Sequence, residues 1–525
     1  MKREIILCLC LFLGLDLFAQ DVLSALMPMP NKVEVGKGRP FSVESSSAIG
    51  VNSMELSFAA EKLKAVFNER MGLELGVSTT SKERIWLEID TTIVGREHYI
   101  IDIDHKSLIL KGNSPEAVYY AVTTLDQLLM GDVVSTSRRV ISEIKIDDMP
   151  RFPFRALMLD PARNFLSVED VKFFIDKMSY YKFNVLQLHL TDDQGWRVKI
   201  DKYPMLASKE CYTKDDIKEL VDYAALRNVN IVPEIDVPGH TVAMLSVFPE
   251  LGCKCGENEG IEVGKTVNRM LCAANDRVYS VLYDVFDEVN SMFPSPYIHL
   301  GGDEAAIGDN WAKCGDCKTM MSELGYTAPS QLMIPFFGKI LDKIRENGKR
   351  PILWCELDNI YPPAKEYLFP YPKDVVLVTW RNGLTPKCTE LTGQSGNSLI
   401  MAPGEYAYLD YPQYKGDLPE FNNWGMPITT LEKCYQLDPG YGLPCQDQKH
   451  IRGVMGTLWG EAIKDINRAT YMAYPRCLAL AEAGWTGMEH RDWRSFKRRM
   501  YPNLLYLMEQ GVSFRVPFEI VEERF

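Results

Sequence analysis

Two kinds of hydrophobic patterning divide the chain near residue 150. Before it, Arg84-Ile-Trp-Leu-Glu-Ile-Asp90 and Tyr99-Ile-Ile-Asp-Ile-Asp104, followed by Ser107-Leu-Ile-Leu-Lys111, alternate apolar and polar residues. A period of two predicts strands with one buried face. Two other stretches, Met54 to Phe67 and Ser114 to Leu129, space their apolar residues three and four apart, as helices do. Ser114 suits an N-cap and Pro115 the first helical position. Residues 21–150 therefore read as a small α+β domain, without a group of acids or histidines that would make a site.

After residue 150 the apolar runs lose their alternation, as strands buried on both faces do. Eight occur: Phe154 to Leu159, Val185 to Leu190, Val229 to Ile235, Tyr297 to Leu300, Pro351 to Trp354, Val375 to Trp380, Ser398 to Met401 and Gly453 to Trp459. Amphipathic stretches separate them. Eight buried strands alternating with helices predict an α/β fold of the (β/α)₈ (TIM) barrel type over residues 151–525, ending in a C-terminal helix. The seventh run carries the weakest signal.

Chemistry-bearing residues follow the strands in turn. Asp160 and Arg163 come after the first, His189 and Thr191-Asp-Asp193 at the second, and Glu234, Asp236 and His240 at the third. Asp303 and Glu304 follow the fourth, Trp354 and Glu356 sit at the fifth, Trp380 at the sixth, Tyr408 and Asp410 beyond the seventh, and Trp459 and Glu461 at the eighth. Barrel enzymes build their sites from strand C-terminal ends. Any one of these acids would serve equally well as a helix cap, but the recurrence of aromatic residues beside them points to one pocket.

The formal charge of −13, with no cluster of Lys and Arg, argues against a nucleic-acid-binding surface. At the N-terminus, Met1-Lys-Arg precedes an apolar run from Ile5 to Phe18 and then Ala19-Gln20. This pattern predicts a signal peptide, residues 1–19, and export to the periplasm or beyond. The run is shorter than the roughly 20 residues that span a bilayer. Two of the thirteen cysteines, Cys8 and Cys10, lie inside it, so eleven remain in the mature chain. Cys314-Gly-Asp-Cys317 has metal-like spacing, but Cys253-Lys-Cys255 has the wrong spacing for the second pair a zinc site needs, which favours a local disulfide or plain packing.

Several carboxylates beside Trp and Tyr suit a neutral sugar, whose faces pack on rings and whose hydroxyls donate to acids. Glycoside cleavage commonly uses two carboxyl groups about 5 Å apart or more. Adjacent residues of a regular strand point to opposite faces, so Asp303 and Glu304 can share a site only if Gly301-Gly302 releases the chain from strand geometry. Even then the two do not make an ordinary acid and nucleophile. A metal-dependent hydrolase is the competing reading, since His189, His240 and His299 lie near strand ends, but no His-x-His or His-Glu-x-x-His occurs. A non-catalytic glycan-binding protein is the other alternative.

Phe154-Arg-Ala-Leu-Met-Leu-Asp-Pro-Ala-Arg163, His189-Leu-Thr-Asp-Asp-Gln-Gly-Trp196, Pro233-Glu-Ile-Asp-Val-Pro-Gly-His240, His299-Leu-Gly-Gly-Asp-Glu304 and Leu458-Trp-Gly-Glu461 resemble the family 20 glycoside hydrolases, the β-N-acetylhexosaminidases. The preceding domain resembles the family more loosely, through Leu26-Met-Pro-Met-Pro30 and Thr124 to Leu129. The resemblance implies a substrate-assisted, retaining mechanism, in which the acetamido oxygen of a terminal GlcNAc or GalNAc is the nucleophile. It implies that Glu304 is the acid and base, that Asp303 holds the acetamido N–H, and that Tyr408 meets the acetamido oxygen. It makes Trp354, Trp380 and Trp459 the pocket walls, Arg155 the grip on two hydroxyls, and Asp410 and Glu461 their neighbours. Asp192 and His240 become a supporting pair, with His240 oriented by Asp236 or Asp192. The partner is a glycan, and neither cofactor nor metal is required. Two departures stand out: Ala156 replaces a usual glycine, and Asn164 a usual histidine or aromatic residue. Leaving-group specificity is expected to lie in the stretch Pro362 to Lys373 and the loop Thr385 to Asn397.

Overall fold

A computed structural model describes residues 22–79, 83–254, 261–356, 370–417, 425–440 and 448–521. The expected signal peptide and most of the stretch from Pro362 lie outside them. Among the described residues, no helix is long and apolar enough to cross a membrane.

The chain divides into two units, Met1–Pro150 with Glu489–Gln510, and Arg151–Met488 with Gly511–Phe525. In the first, the seven strands of a mixed sheet lie in the order Lys32–Val35, Ile144–Asp148, Tyr99–Ile103, Leu108–Gly112, Ile85–Ile89, Ala48–Val51 and Gly76–Ser78. Helices Ser57–Met71 and Pro115–Gly131 accompany it. The Ser114 hydroxyl accepts from Ala117 N at 3.3 Å, capping the second helix as its sequence predicts. The C-terminal helix Trp493–Glu509 belongs to this unit rather than to the barrel. Its polar face explains why: Arg499 Nη1 donates to Leu26 O at 2.7 Å and Asn503 Nδ2 to Ala25 O at 3.0 Å.

The second unit is a closed barrel of eight parallel strands in chain order: Phe154–Leu159, Val185–His189, Asn230–Glu234, Tyr297–His299, Arg350–Trp354, Val376–Thr379, Ser398–Met401 and Ile451–Leu458. Each predicted run falls on one of these. The seventh strand is real, and a register shift between Leu399 and Ile400 marks its pairing with the eighth. Phe154, Ala156, Met158, Val185, Val232, Ile352, Val376, Val378, Ile400 and Met455 fill the interior, each large side chain stabilising the fold by roughly 1.5–3 kcal/mol. Helices Val168–Tyr180 and Lys214–Ala225 each begin with a reciprocal capping box, Ser167 with Asp170 and Thr213 with Asp216. Residues Thr385–Ser395, expected as a loop, form a helix.

The period-two alternation of the first strand corrects one expectation. Phe154, Ala156 and Met158 face the barrel interior, so Arg155 must face outward, toward the helices. There its guanidinium donates to Lys182 O at 2.8 Å and Phe152 O at 2.9 Å, and lies 4.9 Å from the centre of the Trp485 ring. Arg155 belongs to the barrel wall, near the start of its strand, and cannot grip a substrate. Ala156, on the opposite face of the strand, points into the barrel interior.

Candidate active site

A cavity of about 620 Å³ opens at the C-terminal ends of the barrel strands, lined by Arg163, His240, Asp303, Glu304, Trp380, Arg381, Tyr408, Asp410, Trp459 and Glu461 among others. Its volume lies in the range of small-ligand sites. The floor is a polar layer capping the apolar barrel interior. Glu234, fully buried, accepts from Gln187 Nε2 at 2.8 Å and from Trp354 Nε1 at 2.8 Å. His189 Nδ1 and His299 Nδ1 stand 2.8 and 3.0 Å from its two oxygens. Burial alone would raise the Glu234 carboxyl, but His299 and His189 outweigh it and hold it well below the usual range.

A chain of charges climbs from this floor to the cavity. His189 Nε2 lies 2.9 Å from Asp192 Oδ2, and Asp192 Oδ1 lies 3.3 Å from His240 Nδ1. Asp192 also pairs with Arg163 Nη2 at 2.9 Å. Burial would lower the His240 imidazole; Asp192 beside it outweighs that and raises it well above its ordinary value. Of the two carboxylates that sequence left open for orienting His240, Asp192 makes the bond. Asp192 is buried and supports the lining rather than joining it.

Gly301 and Gly302 have φ of +65° and +96°, and Glu304 follows at +46°. These left-handed conformations end the strand and let consecutive acids face one cavity. A Cβ on Gly301 would stand 1.8 Å from Asp236 Oδ1, so only glycine fits. Gly302 N donates to the same Asp236 oxygen at 3.1 Å, fixing the turn. Asp303 is buried while Glu304 is exposed to the cavity. His240 Nε2 stands 3.8 Å from Asp303 Oδ2 and 3.8 Å from Glu304 Oε2.

Three polar atoms of this wall, Asp303 Oδ1, Tyr408 Oη and Trp380 Nε1, are buried with no hydrogen-bond partner among the described residues. Such orphans are costly unless a ligand satisfies them. Trp380 stacks parallel to Tyr408, with ring centres 6.5 Å apart and planes at 6°. Trp354 does not line the cavity as expected. It is fully buried and backs the walls, 6.5 Å from Trp380 and 5.6 Å from Trp459.

At the far end Arg163, unlike Arg155, lines the cavity. Its nitrogens reach Asp160 Oδ2 at 2.7 Å, Asp192 Oδ2 at 2.9 Å and Glu461 Oε1 at 3.3 Å, and its guanidinium packs over Trp459. Position was the signal: Arg163 follows the C-terminal end of the strand, where barrel sites form. Asp410 lines the same cavity, its carboxyl pushed up to about 8 by burial and then by Glu461, so at neutral pH it is largely protonated and can donate as well as accept. Asn164, one of the two departures, ties this corner together through Nδ2 to Gly460 O at 2.6 Å.

Sequence reasoning missed Arg381. It stacks on Trp380 at 4.2 Å, pairs with Glu356 at 3.3 Å through both oxygens, and brings Nη2 to 3.8 Å from Glu304 Oε1. Its place directly after Trp380 could have revealed it. Burial, opposed by Arg381, pushes Glu356 up to about 8.

Comparisons with known proteins agree with this arrangement. Residues 152–488 match the catalytic domain of glycosyl hydrolase family 20, and residues 23–149 match domain 2 of that family. A β-hexosaminidase of Akkermansia muciniphila is 35% identical over 465 residues, covering 85% of this chain and 91% of the relative. Among solved structures, the family 20 β-N-acetylhexosaminidase of Streptomyces coelicolor aligns with a TM-score of 0.80 at 29% identity, covering 94% of this chain and 97% of that one. The exo-β-N-acetylglucosaminidase of Vibrio harveyi, solved with N-acetylglucosamine, aligns with a TM-score of 0.80 at 28% identity, covering 95% and 79%. With most of its length matched, this chain belongs to glycosyl hydrolase family 20 and is a glycoside hydrolase.

Proposed function

We propose that the chain is an exo-acting β-N-acetylhexosaminidase that removes one terminal β-linked GlcNAc or GalNAc with retention, using the substrate's own acetamido group as nucleophile. The observation that carries this reading is the orphan pair Asp303 Oδ1 and Tyr408 Oη beside Glu304. One is an acceptor and the other a hydroxyl donor, the complement of an amide N–H and C=O.

In this reading Glu304 gives its proton to the glycosidic oxygen as the bond to C1 breaks. The acetamido oxygen, oriented by Tyr408, bonds to C1, and the N–H turns toward Asp303, whose carboxylate offsets the positive charge of the oxazolinium ring. Glu304, now ionised, takes a proton from water as that water opens the ring. Trp380 and Trp459 bound the sugar, and Arg163, Asp410 and Glu461 close the end of the cavity around its hydroxyls, which supports removal of a single terminal residue.

The positively charged start and apolar run of residues 1–19 support export, with the glycan met outside the cytoplasm.

Glu304→Gln tests the reading on aryl β-GlcNAc and β-GalNAc glycosides. Turnover is expected to fall at least 10²-fold with the fold intact, while a thiazoline analogue of the cyclic intermediate inhibits the wild type. Wild-type turnover in the variant, or glycan binding with no release of sugar by the wild type, would overturn it.

A further inference from the structure

Four cysteine sulfurs meet between the connections that follow the third and fourth barrel strands. Cys253 and Cys272 come from the first connection, Cys314 and Cys317 from the second, and all four are buried. Their Sγ atoms all lie within 4.8 Å of one another. Cys317 Sγ is 3.9 Å from Cys253 Sγ and 3.6 Å from Cys272 Sγ. The spacing of Cys253-Lys-Cys255 had argued against a second pair for Cys314 and Cys317. The partner of Cys253 is Cys272, brought back to it by the antiparallel bridge of Gly252 with Leu271 and by Cys272 N donating to Leu251 O at 2.9 Å.

Thiolates about 2.3 Å from a tetrahedral zinc stand about 3.8 Å from one another, whereas disulfide sulfurs are about 2.0 Å apart. The separations here match the first geometry. We propose that Cys253, Cys272, Cys314 and Cys317 form a structural zinc site that staples these two connections together. Binding converts four thiols and one Zn²⁺ into a tetrathiolate centre and releases four protons. With every coordination position taken by sulfur, none is left for water or substrate, so the ion is structural and takes no part in sugar chemistry. Cys314 precedes helix Gly315–Glu323 and Cys317 lies in its first turn, where backbone N–H groups favour thiolates.

The staple acts on the catalytic face. Leu271 N donates to Pro238 O at 3.0 Å, two residues before His240. On the other side, Asn310 Nδ2 donates to Ala306 O at 2.9 Å, two residues after Glu304, and to Asn268 O at 2.8 Å. Trp311 Nε1 closes the same junction on Leu271 O at 2.8 Å. The metal thus fixes the two connections that carry His240 and Glu304, a role independent of which glycoside is cleaved.

The test uses the full mature chain, purified without chelator from zinc-supplemented medium. Elemental analysis should give one zinc per chain, and mercurial titration of the thiols should release it stoichiometrically to a colorimetric chelator. Replacement by Co²⁺ should produce the intense thiolate charge-transfer band of tetrahedral CoS₄. Cys317→Ser and Cys314→Ser should each lower bound zinc to near zero; because these variants could misfold, the cobalt spectrum of the wild type stands as an independent readout. A zinc-free chain with two disulfides by intact mass, a chain with four free thiols that takes up no Co²⁺, or a coloured iron centre would each overturn the assignment.

Discussion

Asp192 Oδ1 lies 3.3 Å from His240 Nδ1 and turns the opposite ring nitrogen toward the two acids that face the cavity. Burial alone would make this imidazole neutral, and Asp192 reverses that outcome. In Asp192→Asn the largest interaction that opposes burial is lost, and the ring's pKa falls from its wild-type position. The variant's ring loses its proton at lower pH than the wild type's. The alkaline fall of the variant's kcat/KM profile should therefore begin at lower pH than the wild type's, together with a drop of roughly 10-fold or more at pH 7. The histidine NMR titration reports the same shift directly. An unchanged profile would show that Asp192 only packs.

The amide-shaped gap between Asp303 and Tyr408 predicts a paired result. Asp303→Asn replaces a carboxylate acceptor by an amide that cannot offset the charge of the cyclic intermediate. Tyr408→Phe removes the donor alone. The first should lower kcat on N-acetylated aryl glycosides by about 10²- to 10³-fold and the second by about 10- to 10²-fold. Both should weaken thiazoline inhibition in the same order. If either variant lost turnover while binding the thiazoline as the wild type does, the acetamido group would not sit between these residues.

The barrel was legible because its strands are buried on both faces, which erases alternation from sequence and leaves runs that can be counted. All eight runs fall on strands, including Ser398–Met401, whose pairing is irregular. The acid pair was legible for a different reason: Gly301-Gly302 announces a break in strand geometry. Arg155 was misassigned by placing a basic residue in a matching motif without applying the alternation of its own strand. Arg381 was missed, and the expected C-terminal helix, Trp493–Glu509, was placed with the barrel rather than with the first unit, because their partners, Glu304 and the carbonyls of Ala25 and Leu26, are remote in sequence. The sulfur cluster was missed similarly: Cys272 lies far from Cys317, and proximity of Cys255 to Cys253 suggested the wrong pair.

The reassignment from Arg155 to Arg163 separates stability from binding. Arg155→Met leaves the carbonyls of Lys182 and Phe152 without a buried donor, at a cost of about 2–4 kcal/mol. Denaturant unfolding should show that loss, while KM of the remaining folded enzyme stays unchanged. Arg163→Met removes the cation that Asp160, Asp192 and Glu461 share, and should lower kcat/KM by roughly 10²-fold, with KM rising. A KM effect from Arg155→Met, or none from Arg163→Met, would reverse the assignment.

Glu356 sets a pH dependence of stability whose sign follows from its burial. Its carboxyl is pushed up to about 8 in the folded chain, above the ordinary 4.5. The folded state thus holds a proton that the unfolded state releases between these values, so the contribution is full below about pH 4.5 and is lost as pH rises toward 8. Each unit of difference is worth roughly 1.4 kcal/mol, which makes this a decline of a few kcal/mol, shared in sign with Asp410. Glu356→Gln keeps the shape and one of the two oxygens that meet Arg381 but has no proton to lose. Its Tm should therefore fall less than the wild type's between pH 5 and pH 8, with the two curves diverging toward the alkaline end. Parallel curves would mean that Arg381 keeps Glu356 ionised throughout, and that the cavity wall beside Glu304 is a true ion pair.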